Sequence, residues 1–299
     1  MTTALADRIQ TGTTCPVCAH VEQARPLFQK SGIWIEECLH CRHRFAQASD
    51  LAQHVDAVYG DDYFNGGGAG YSNYLSESRL LRAHGRRYGK LLKKYAQPGR
   101  LLDVGAAAGF VLQGLNDEGW SGVGVEPNAA MARHAREQLG VDVTASPFEE
   151  FANTEPFDVV SIIQVMAHFV EPRVAVEHLA SLVKPGGLCV VETWNVGSWS
   201  ARLFGASWHE YSPPSVLHWW SPTTLSRLFG DFGFERVATG RPQKWIEVGH
   251  AKSLLGHKAS AETSLIARMV GGVLRFVPDK WQLPYPSEDL FWAVFRKGG

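Results

Sequence analysis

Apolar and polar positions alternate along the middle of the chain in blocks that predict strands and helices in turn. Short apolar runs indicate buried strands, and longer segments with apolar residues three or four positions apart indicate helices. The pattern predicts strands at 100–104, 121–126, 141–144, 157–163, 188–193, 235–239 and 290–296, and helices near 78–96, 109–118, 128–139, 172–183 and 222–230. Such alternation is typical of a doubly wound sheet, so we expect a Rossmann-like α/β domain of seven strands.

The first of these strands ends in a turn built from small residues. Residues 101–110 are Leu-Leu-Asp-Val-Gly-Ala-Ala-Ala-Gly-Phe, and the next strand ends in Glu126-Pro127. Small residues let a ligand approach the backbone, and a carboxylate at the end of the second strand can bind two ribose hydroxyls. The two segments together predict a nucleoside site.

The spacing within the turn argues against a dinucleotide. That fingerprint places glycines at its first, third and sixth positions, which here are Gly105, Ala107 and Phe110. A phenylalanine at the sixth position would push the helix away from the strand. A ligand with one nucleoside and no phosphate fits the turn better, and S-adenosylmethionine is such a ligand.

At these residues the chain resembles the class I S-adenosylmethionine-dependent methyltransferases. Their first motif commonly runs Leu-Asp-Val-Gly-Cys-Gly-x-Gly, and this chain carries Ala106 and Ala107 where Cys and Gly are usual. Lys184-Pro185-Gly186-Gly187 resembles a second element of the family and is expected to close the helix before it. Residues 164–169, Gln-Val-Met-Ala-His-Phe, resemble a stretch of ubiquinone-pathway and related small-molecule methyltransferases.

The resemblance and the sheet geometry together imply a cofactor site, because open α/β sheets bind ligands at the carboxyl ends of their strands. Glu126 is expected to hold the ribose hydroxyls, and Gln164 to lie close to the sulfonium. The aromatic, glycine-rich segment before the fold either covers the cofactor or is a plain linker. The predicted cofactor-binding residues are Tyr63, Asp103, Gly105, Ala106, Gly109, Phe110, Glu126, Pro127, Asn128, Ser146, Pro147, Phe148 and Gln164.

An oxygen or nitrogen acceptor can require a general base. His168 falls at the mouth of the expected site and has an unperturbed pKa suited to proton transfer. Ala167 replaces the glutamate of the similar enzymes, so no carboxylate supports the histidine from that place. His209 and His218 are further candidates, and a structural role is the alternative for His168.

Five of the ten tryptophans lie within residues 194–220. Rigid amphipathic rings can stack on a planar or sugar ring, so Trp194, Trp208 and Tyr211 are predicted to contact the substrate. The alternative is that these aromatic residues pack the insertion onto the sheet. A second insertion, with an amphipathic stretch at 265–277, is expected to cap the pocket or to form an oligomer contact such as a homodimer.

Four of the five cysteines form two Cys-x-x-Cys pairs separated by nineteen residues. That spacing predicts a ribbon with a tetrahedral four-thiolate zinc site, and an iron–sulfur centre is the alternative. A closed four-thiolate shell has no open position for substrate, so we expect the zinc to be structural. The nearby His20, His40 and His43 are expected at the surface. The predicted metal ligands are Cys15, Cys18, Cys38 and Cys41.

Length and charge set the remaining expectations. The 299 residues divide into a zinc ribbon at 1–50, a linker or flap at 51–77 and a methyltransferase domain at 78–299, with insertions at 194–221 and 240–287. The net charge of −1 and the balanced charges of the ribbon argue against a nucleic-acid partner. The first residues show no basic segment leading into an apolar core, and no apolar run approaches ~20 residues, so we expect no secretory signal, no transmembrane segment and a cytoplasmic protein.

The sequence leads to one hypothesis with three rivals. We expect a methyltransferase that moves a methyl group from S-adenosylmethionine to an oxygen or nitrogen of a small molecule, such as a sugar, an aromatic compound or a natural-product intermediate. The rivals are an RNA methyltransferase guided by the ribbon, a non-catalytic ribbon protein that binds a partner, and an NAD-dependent enzyme. The turn spacing disfavours the last.

Overall fold

The computed structural model describes residues 14–21, 24–46, 74–247, 278, 282–285 and 288–299. The chain divides into two compact units. Met1–Arg241 and Glu288–Gly299 make up the first, and Pro242–Ser287 make up the second. The sheet with the predicted cofactor site and the ribbon both belong to the first unit.

The described residues form thirteen strands and six α helices. The strands are β1 Ala24–Lys30, β2 Ile33–Cys38, β3 Arg44–Ala46, β4 Arg100–Val104, β5 Ser121–Glu126, β6 Val143–Ala145, β7 Phe157–Ile163, β8 Val183–Trp194, β9 His218–Trp219, β10 Phe234–Gly240, β11 Lys244–Glu247, β12 Gln282–Tyr285 and β13 Leu290–Lys297. The helices are α1 Ser78–Leu92, α2 Phe110–Asp117, α3 Ala129–Leu139, α4 Pro172–Leu182, α5 Trp199–Phe204 and α6 Pro222–Asp231.

Seven strands form one mixed sheet in the order β10-β13-β8-β7-β4-β5-β6. Strands β4 to β8 are parallel, and β13 and β10 add antiparallel pairs at one edge. The predicted seven-stranded doubly wound sheet is therefore confirmed. The strand order reverses between β4 and β7, so a crevice at their carboxyl ends is the expected ligand site.

Helices cover both faces of this sheet, which explains why its central strands are continuously apolar. One face packs against α1, α2 and α3 through a core that includes Leu101, Leu112 and Ala132. The other face packs against α4 and α6 through Leu179 and Leu225. The sheet is thus a rigid frame that fixes the positions of the loops at its carboxyl edge.

Two element boundaries differ from the prediction. Helix α1 ends at Leu92, four residues early, because the hydrogen bonds tighten into turns such as Lys94 N–H to the Leu91 carbonyl. Strand β8 begins at Val183 and includes the Pro-Gly-Gly segment, which we expected to separate helix from strand. The pairing with β7 jumps from Val183 to Leu188, so the segment forms a bulge at the start of the strand.

The ribbon forms a four-stranded antiparallel sheet in the order β1-β2-β3-β9. Its fourth strand comes from the aromatic insertion, about 170 residues further along the chain. Ribbon residues such as Ile35 and Phe45 share one hydrophobic core with the methyltransferase sheet. The expectation that His43 lies at the surface is wrong, because this shared core buries its ring completely.

The second unit contains an antiparallel hairpin of β11 and β12, whose backbone register pairs Lys244 with Tyr285 and Glu247 with Gln282. The amphipathic stretch predicted at 265–277 lies outside the described residues. In the part of the chain that the structure describes, no helix combines the length and apolar character needed to cross a membrane.

Candidate functional site

The small-residue turn follows β4 and leads directly into α2. Gly105 and Gly109 both have positive φ, +68° and +83°, a backbone conformation that favours glycine. Gly109 is the N-cap of α2, and a side chain on Gly105 would overlap Val165. The turn therefore needs glycine at both predicted positions, and it leaves the backbone of 105–109 close to the switch point of the sheet.

Glu126 ends β5 beside this turn. Its carboxylate accepts the Ala107 N–H at 2.9 Å and the Asn128 N–H at 2.9 Å. Burial raises the pKa of Glu126, and the two backbone N–H groups partly oppose that shift. A carboxylate has about four lone-pair sites, so two remain for further donors such as the hydroxyls of a ribose.

Asp103 lies beneath the turn, near the end of β4, and it is 2% exposed. Its carboxyl group accepts a hydrogen bond from the Ser161 hydroxyl at 2.6 Å. Burial raises the pKa of Asp103 to about 7, although the Ser161 hydroxyl lowers it. The two carboxyl groups at this edge thus differ: Glu126 is bonded to the backbone of the turn, and Asp103 is held inside the sheet.

The other predicted cofactor residues lie around the same edge. Asn128 caps α3 by accepting the Met131 N–H at 2.9 Å, and the Ser146 N–H donates to the Glu126 carbonyl at 3.1 Å. Ala106, Phe110 and Phe148 are buried, Ser146 and Pro147 are partly buried, and Pro127 is exposed. Tyr63 lies outside the described residues.

Gln164 follows β7 across the switch point from the turn. Its φ of +62° is rare for a residue other than glycine, so the conformation is strained and must be held by its neighbours. Glu192 on β8 supplies that hold, because its carbonyl accepts the Gln164 N–H at 2.9 Å and its carboxylate accepts the side-chain amide at 2.7 Å. The structure thereby fixes the carboxamide at the edge where the sulfonium is expected.

Glu192 is a functional candidate that the sequence analysis missed. Its wholly buried carboxylate also accepts hydrogen bonds from His84 at 2.9 Å and from the hydroxyl of Tyr88. Arg87 donates to the other imidazole nitrogen of His84 at 3.1 Å, which sets the tautomer that donates to Glu192. Two features of the sequence could have indicated this site: Glu192 is a lone acid in an apolar strand, and His84 and Tyr88 lie four positions apart on α1.

His168 lies in the loop after Gln164 and is partly buried. Its Nδ1 is 2.6 Å from the Ser215 carbonyl, and a carbonyl can only accept, so Nδ1 carries the hydrogen. In the neutral ring Nε2 is then the basic nitrogen. Burial lowers the pKa of His168, while the backbone carbonyls of Ser215 and Gln164 raise it. Burial is the larger effect, so the pKa of His168 lies below its usual value and the neutral ring is favoured.

Trp194 and His209 form a partly exposed pair at the carboxyl end of β8. Their rings meet edge to face with centroids 5.1 Å apart. The Nε2 atom of His209 lies 3.1 Å from a Glu210 carboxylate oxygen and 3.9 Å from one of Asp289. The structure thus brings together one predicted substrate contact and one predicted base.

Three predicted site residues are corrected to packing roles because the core encloses them. Trp208 and Tyr211 are 0% and 1% exposed and belong to the hydrophobic core that the insertion shares with the sheet. The ring of His218 is buried against His43, with Nδ1 of His218 3.1 Å from Nε2 of His43, and burial lowers the pKa of His218 to about 4. Tyr211 and His218 join the insertion to the ribbon, through Arg44 and His43 respectively.

The four ribbon cysteines converge on one point. Their Sγ atoms lie within 4.8 Å of one another, with Cys15 to Cys41 at 3.6 Å and Cys18 to Cys38 at 3.7 Å. A tetrahedral ion with bonds of about 2.3 Å to sulfur separates its ligands by about 3.8 Å. The Val17 N–H also points at the Cys15 sulfur, at 3.4 Å. The donor set fits a four-thiolate metal ion.

The order of the seven strands, the glycine turn after β4 and the Glu126 carboxylate at the end of β5 are together typical of one fold. It is the fold of the class I S-adenosylmethionine-dependent methyltransferases. A family profile described as "Methyltransferase domain" matches residues 77–239, which is more than half of the chain. The chain therefore belongs to this methyltransferase family. The predicted family resemblance is confirmed.

Among curated proteins, the chain is similar to the ubiquinone biosynthesis O-methyltransferase of Bradyrhizobium diazoefficiens, with 33% identity over 129 residues. That match covers 41% of this chain and 51% of the relative, so the chain spans about half the length of the curated relatives it matches.

Among solved structures, the chain is similar to the YcgJ protein of Bacillus subtilis, with a TM-score of 0.51 and 17% identity, covering 72% of this chain and 99% of that one. It is also similar to an S-adenosylmethionine-dependent methyltransferase of Archaeoglobus fulgidus, with a TM-score of 0.50 and 17% identity, covering 75% and 99%. At such identity these likenesses concern the fold alone.

Proposed function

We propose that this protein transfers a methyl group from S-adenosylmethionine to an oxygen or nitrogen of a small molecule. The observation that carries the proposal is the position of Glu126, which ends β5 and bonds to the Ala107 N–H in the glycine turn. Its remaining lone pairs would accept the ribose hydroxyls, and the 105–109 backbone would lie along the amino-acid part of the cofactor. Gln164 would face the sulfonium from the other side of the switch point.

The residues of the chain would act chiefly by position. S-adenosylmethionine supplies a methyl group on a sulfonium, which is already a good leaving group, so much of the rate comes from alignment of the acceptor. His168 would accept the acceptor's proton at Nε2, because Nδ1 is committed to the Ser215 carbonyl. Trp194 and His209 would border the acceptor at the end of β8. Zinc bound by the four cysteines would serve the structure of the ribbon.

The curated relative indicates which acceptors to test first. The matched curated protein of Bradyrhizobium diazoefficiens is an O-methyltransferase of ubiquinone biosynthesis, so phenols and catechols are the first acceptors to test. Aromatic amines and nucleotide sugars form the second group. The assay measures S-adenosylhomocysteine by mass spectrometry after incubation of the full chain with S-adenosylmethionine and each acceptor.

Replacement of His168 tests the proposed base. In His168→Asn the side-chain amide can still donate to the Ser215 carbonyl, but the basic nitrogen is lost. We expect the turnover number to fall by about 100- to 10,000-fold, with S-adenosylhomocysteine affinity unchanged. His178→Asn is the matched variant, because His178 is also partly buried and its Nε2 lies 2.9 Å from a backbone carbonyl, that of Phe151; it should keep most of the turnover. Wild-type turnover in His168→Asn would contradict the assignment.

A further inference from the structure

The ribbon and the loop that carries His168 are joined by an unbroken series of backbone hydrogen bonds. Strand β3 pairs with β9, and the Ala46 N–H donates to the Leu217 carbonyl at 2.8 Å. One residue before His168, the Ala167 carbonyl accepts the N–H groups of Leu217 and His218 at 2.9 and 3.1 Å. The segment at 215–219 therefore lies between the ribbon and the loop that carries His168, and it is hydrogen-bonded to both.

Ser215 is the point at which this segment touches the imidazole. Its carbonyl accepts the Nδ1 hydrogen of His168 at 2.6 Å, and so it sets which nitrogen of the neutral ring is basic. The Ser215 hydroxyl donates to the Ser212 carbonyl at 3.0 Å, and the Val216 N–H donates to the same carbonyl at 3.2 Å. The turn at 212–216 is thus compact, and the Ser215 carbonyl within it has a defined direction.

A side chain of the ribbon reaches the start of this turn. One guanidinium nitrogen of Arg44 donates to the Tyr211 hydroxyl at 2.6 Å, and a second donates to Glu37 at 3.1 Å. Tyr211 is wholly buried, with its ring edge-on to Phe28 of β1 at 4.9 Å between centroids. A hydrogen bond from a charged donor inside such a contact is strong and directional. The contact therefore ties the turn to the ribbon, four residues before Ser215.

We propose that Arg44 and Tyr211 are positioning residues for His168, and that the ribbon thereby sets the tautomer of the proposed base. Neither residue touches the reacting atoms. They act through the turn at 212–216, which directly follows Tyr211 and whose Ser215 carbonyl accepts the Nδ1 hydrogen of His168. This inference rests on the proposed function for the role of His168 as base, while the coupling itself concerns only the state of the ring.

The test observes that ring without any acceptor. Full-length protein labelled with ¹⁵N-histidine is examined by NMR at pH 8, where His168 is neutral, and the His168 signals are assigned with His168→Asn. The wild-type ring should be almost entirely in the Nδ1–H tautomer. In Tyr211→Phe and in Arg44→Gln we expect the share of the other tautomer to rise at least about fivefold, because the Ser215 carbonyl loses its fixed direction.

Arg25→Gln is the matched control. Arg25 also pairs with Glu37, at 2.9 Å, but its guanidinium lies on β1 and has no bond to Tyr211. In Arg25→Gln the tautomer ratio of His168 should equal that of the wild type. The affinity for S-adenosylhomocysteine should stay within about twofold of the wild-type value in Arg25→Gln, Arg44→Gln and Tyr211→Phe. Should Arg44→Gln fail to fold, the Tyr211→Phe substitution decides alone, because it removes a single hydroxyl.

Two results would overturn the inference. One is an unchanged tautomer ratio in Tyr211→Phe, and the other is an equal change in Arg25→Gln and Arg44→Gln. The proposed role of His168 as base fails separately, through normal turnover of His168→Asn. The coupling and the catalytic role can therefore be judged independently.

Discussion

Two buried carboxyl groups at neighbouring strand ends behave differently because their hydrogen-bond partners differ. Glu126 accepts two backbone N–H groups from the turn, whereas Asp103 has the Ser161 hydroxyl. Burial raises the pKa of Asp103 from 3.8 to about 7. In the folded protein its proton is therefore held through a pH range in which the unfolded chain has already lost it.

That difference makes Asp103 destabilising as pH rises from acid to neutral. Between pH 4 and pH 7 the unfolded state ionises first, so stability falls as pH rises, by about 4 kcal/mol over the whole range. Asp103→Asn cannot ionise and escapes this loss. We expect its unfolding free energy, relative to that of the wild type, to increase by about 2–3 kcal/mol from pH 5 to pH 8 in urea titrations.

Asp117→Asn is the control for this prediction. Hydrogen bonds from Arg82 lower the pKa of Asp117 to about 2, so the group is ionised in both states at either pH. Its effect on stability should not change between pH 5 and pH 8. If the difference in unfolding free energy between Asp103→Asn and the wild type stays constant from pH 5 to pH 8, Asp103 does not titrate as stated.

At the scale of elements, the crossing of α1 and α2 positions the glycine turn. The two helices approach so closely that a Cβ on Gly85 would overlap the Val111 carbonyl, and one on Gly114 would overlap the Arg82 carbonyl. Backbone atoms on packed helices cannot move aside cheaply. Because α2 begins directly after Gly109, this close contact fixes the end of the turn at which the cofactor is expected.

Gly85→Ala should therefore destabilise the fold by about 3 kcal/mol or more, through overpacking of the helix crossing. Gly230→Ala is the matched control, since Gly230 is also helical but has open space at its Cβ position. Alanine there should stabilise the protein by about 0.5–1 kcal/mol. Urea unfolding measures both changes, and equal stabilities of the two variants would contradict the close crossing.

At the scale of the whole molecule, the ribbon is part of the folded unit that contains the sheet. Cys15 and Cys38 belong to the same hydrophobic core as Leu102 of the central strand. Arg173 at the start of α4 also donates to the Val17 carbonyl, between the first two cysteines, at 2.6 Å. Loss of the metal would thus expose a core that the methyltransferase sheet shares.

We expect one zinc ion per chain by elemental analysis and one thermal transition for the ribbon and the sheet together. A strong chelator should lower the midpoint of the same transition that S-adenosylhomocysteine raises. Cys38→Ala should lack the metal, whereas Cys189→Ala, which alters a buried strand cysteine, should keep it. If the chelator does not shift the transition that S-adenosylhomocysteine shifts, the ribbon unfolds independently of the methyltransferase sheet.

The features of the fold and the site that depend on local sequence could be predicted. The central strands are apolar runs between helices, Gly109 and Glu126 stand at fixed positions around one turn, and the cysteine pairs have a metal-site spacing. Contacts between distant segments could not be predicted. The pairing of β3 with β9 and the bond from Gln164 to Glu192 join residues whose proximity depends on the completed fold. The burial of Trp208 could not be predicted either, because aromatic residues of cores and of pockets look alike in a sequence.

Calorimetric titration with S-adenosylhomocysteine tests the proposed cofactor site through Glu126. Each hydrogen bond between a carboxylate and a ribose hydroxyl contributes about 1.5–3 kcal/mol, so Glu126→Ala should raise the Kd at least about tenfold. Glu149→Ala removes an exposed carboxylate from the same edge of the sheet and should leave the Kd within about twofold of the wild-type value. Equal affinities of the wild type and Glu126→Ala, or no binding by the wild type, would contradict the assignment of this edge to S-adenosylmethionine.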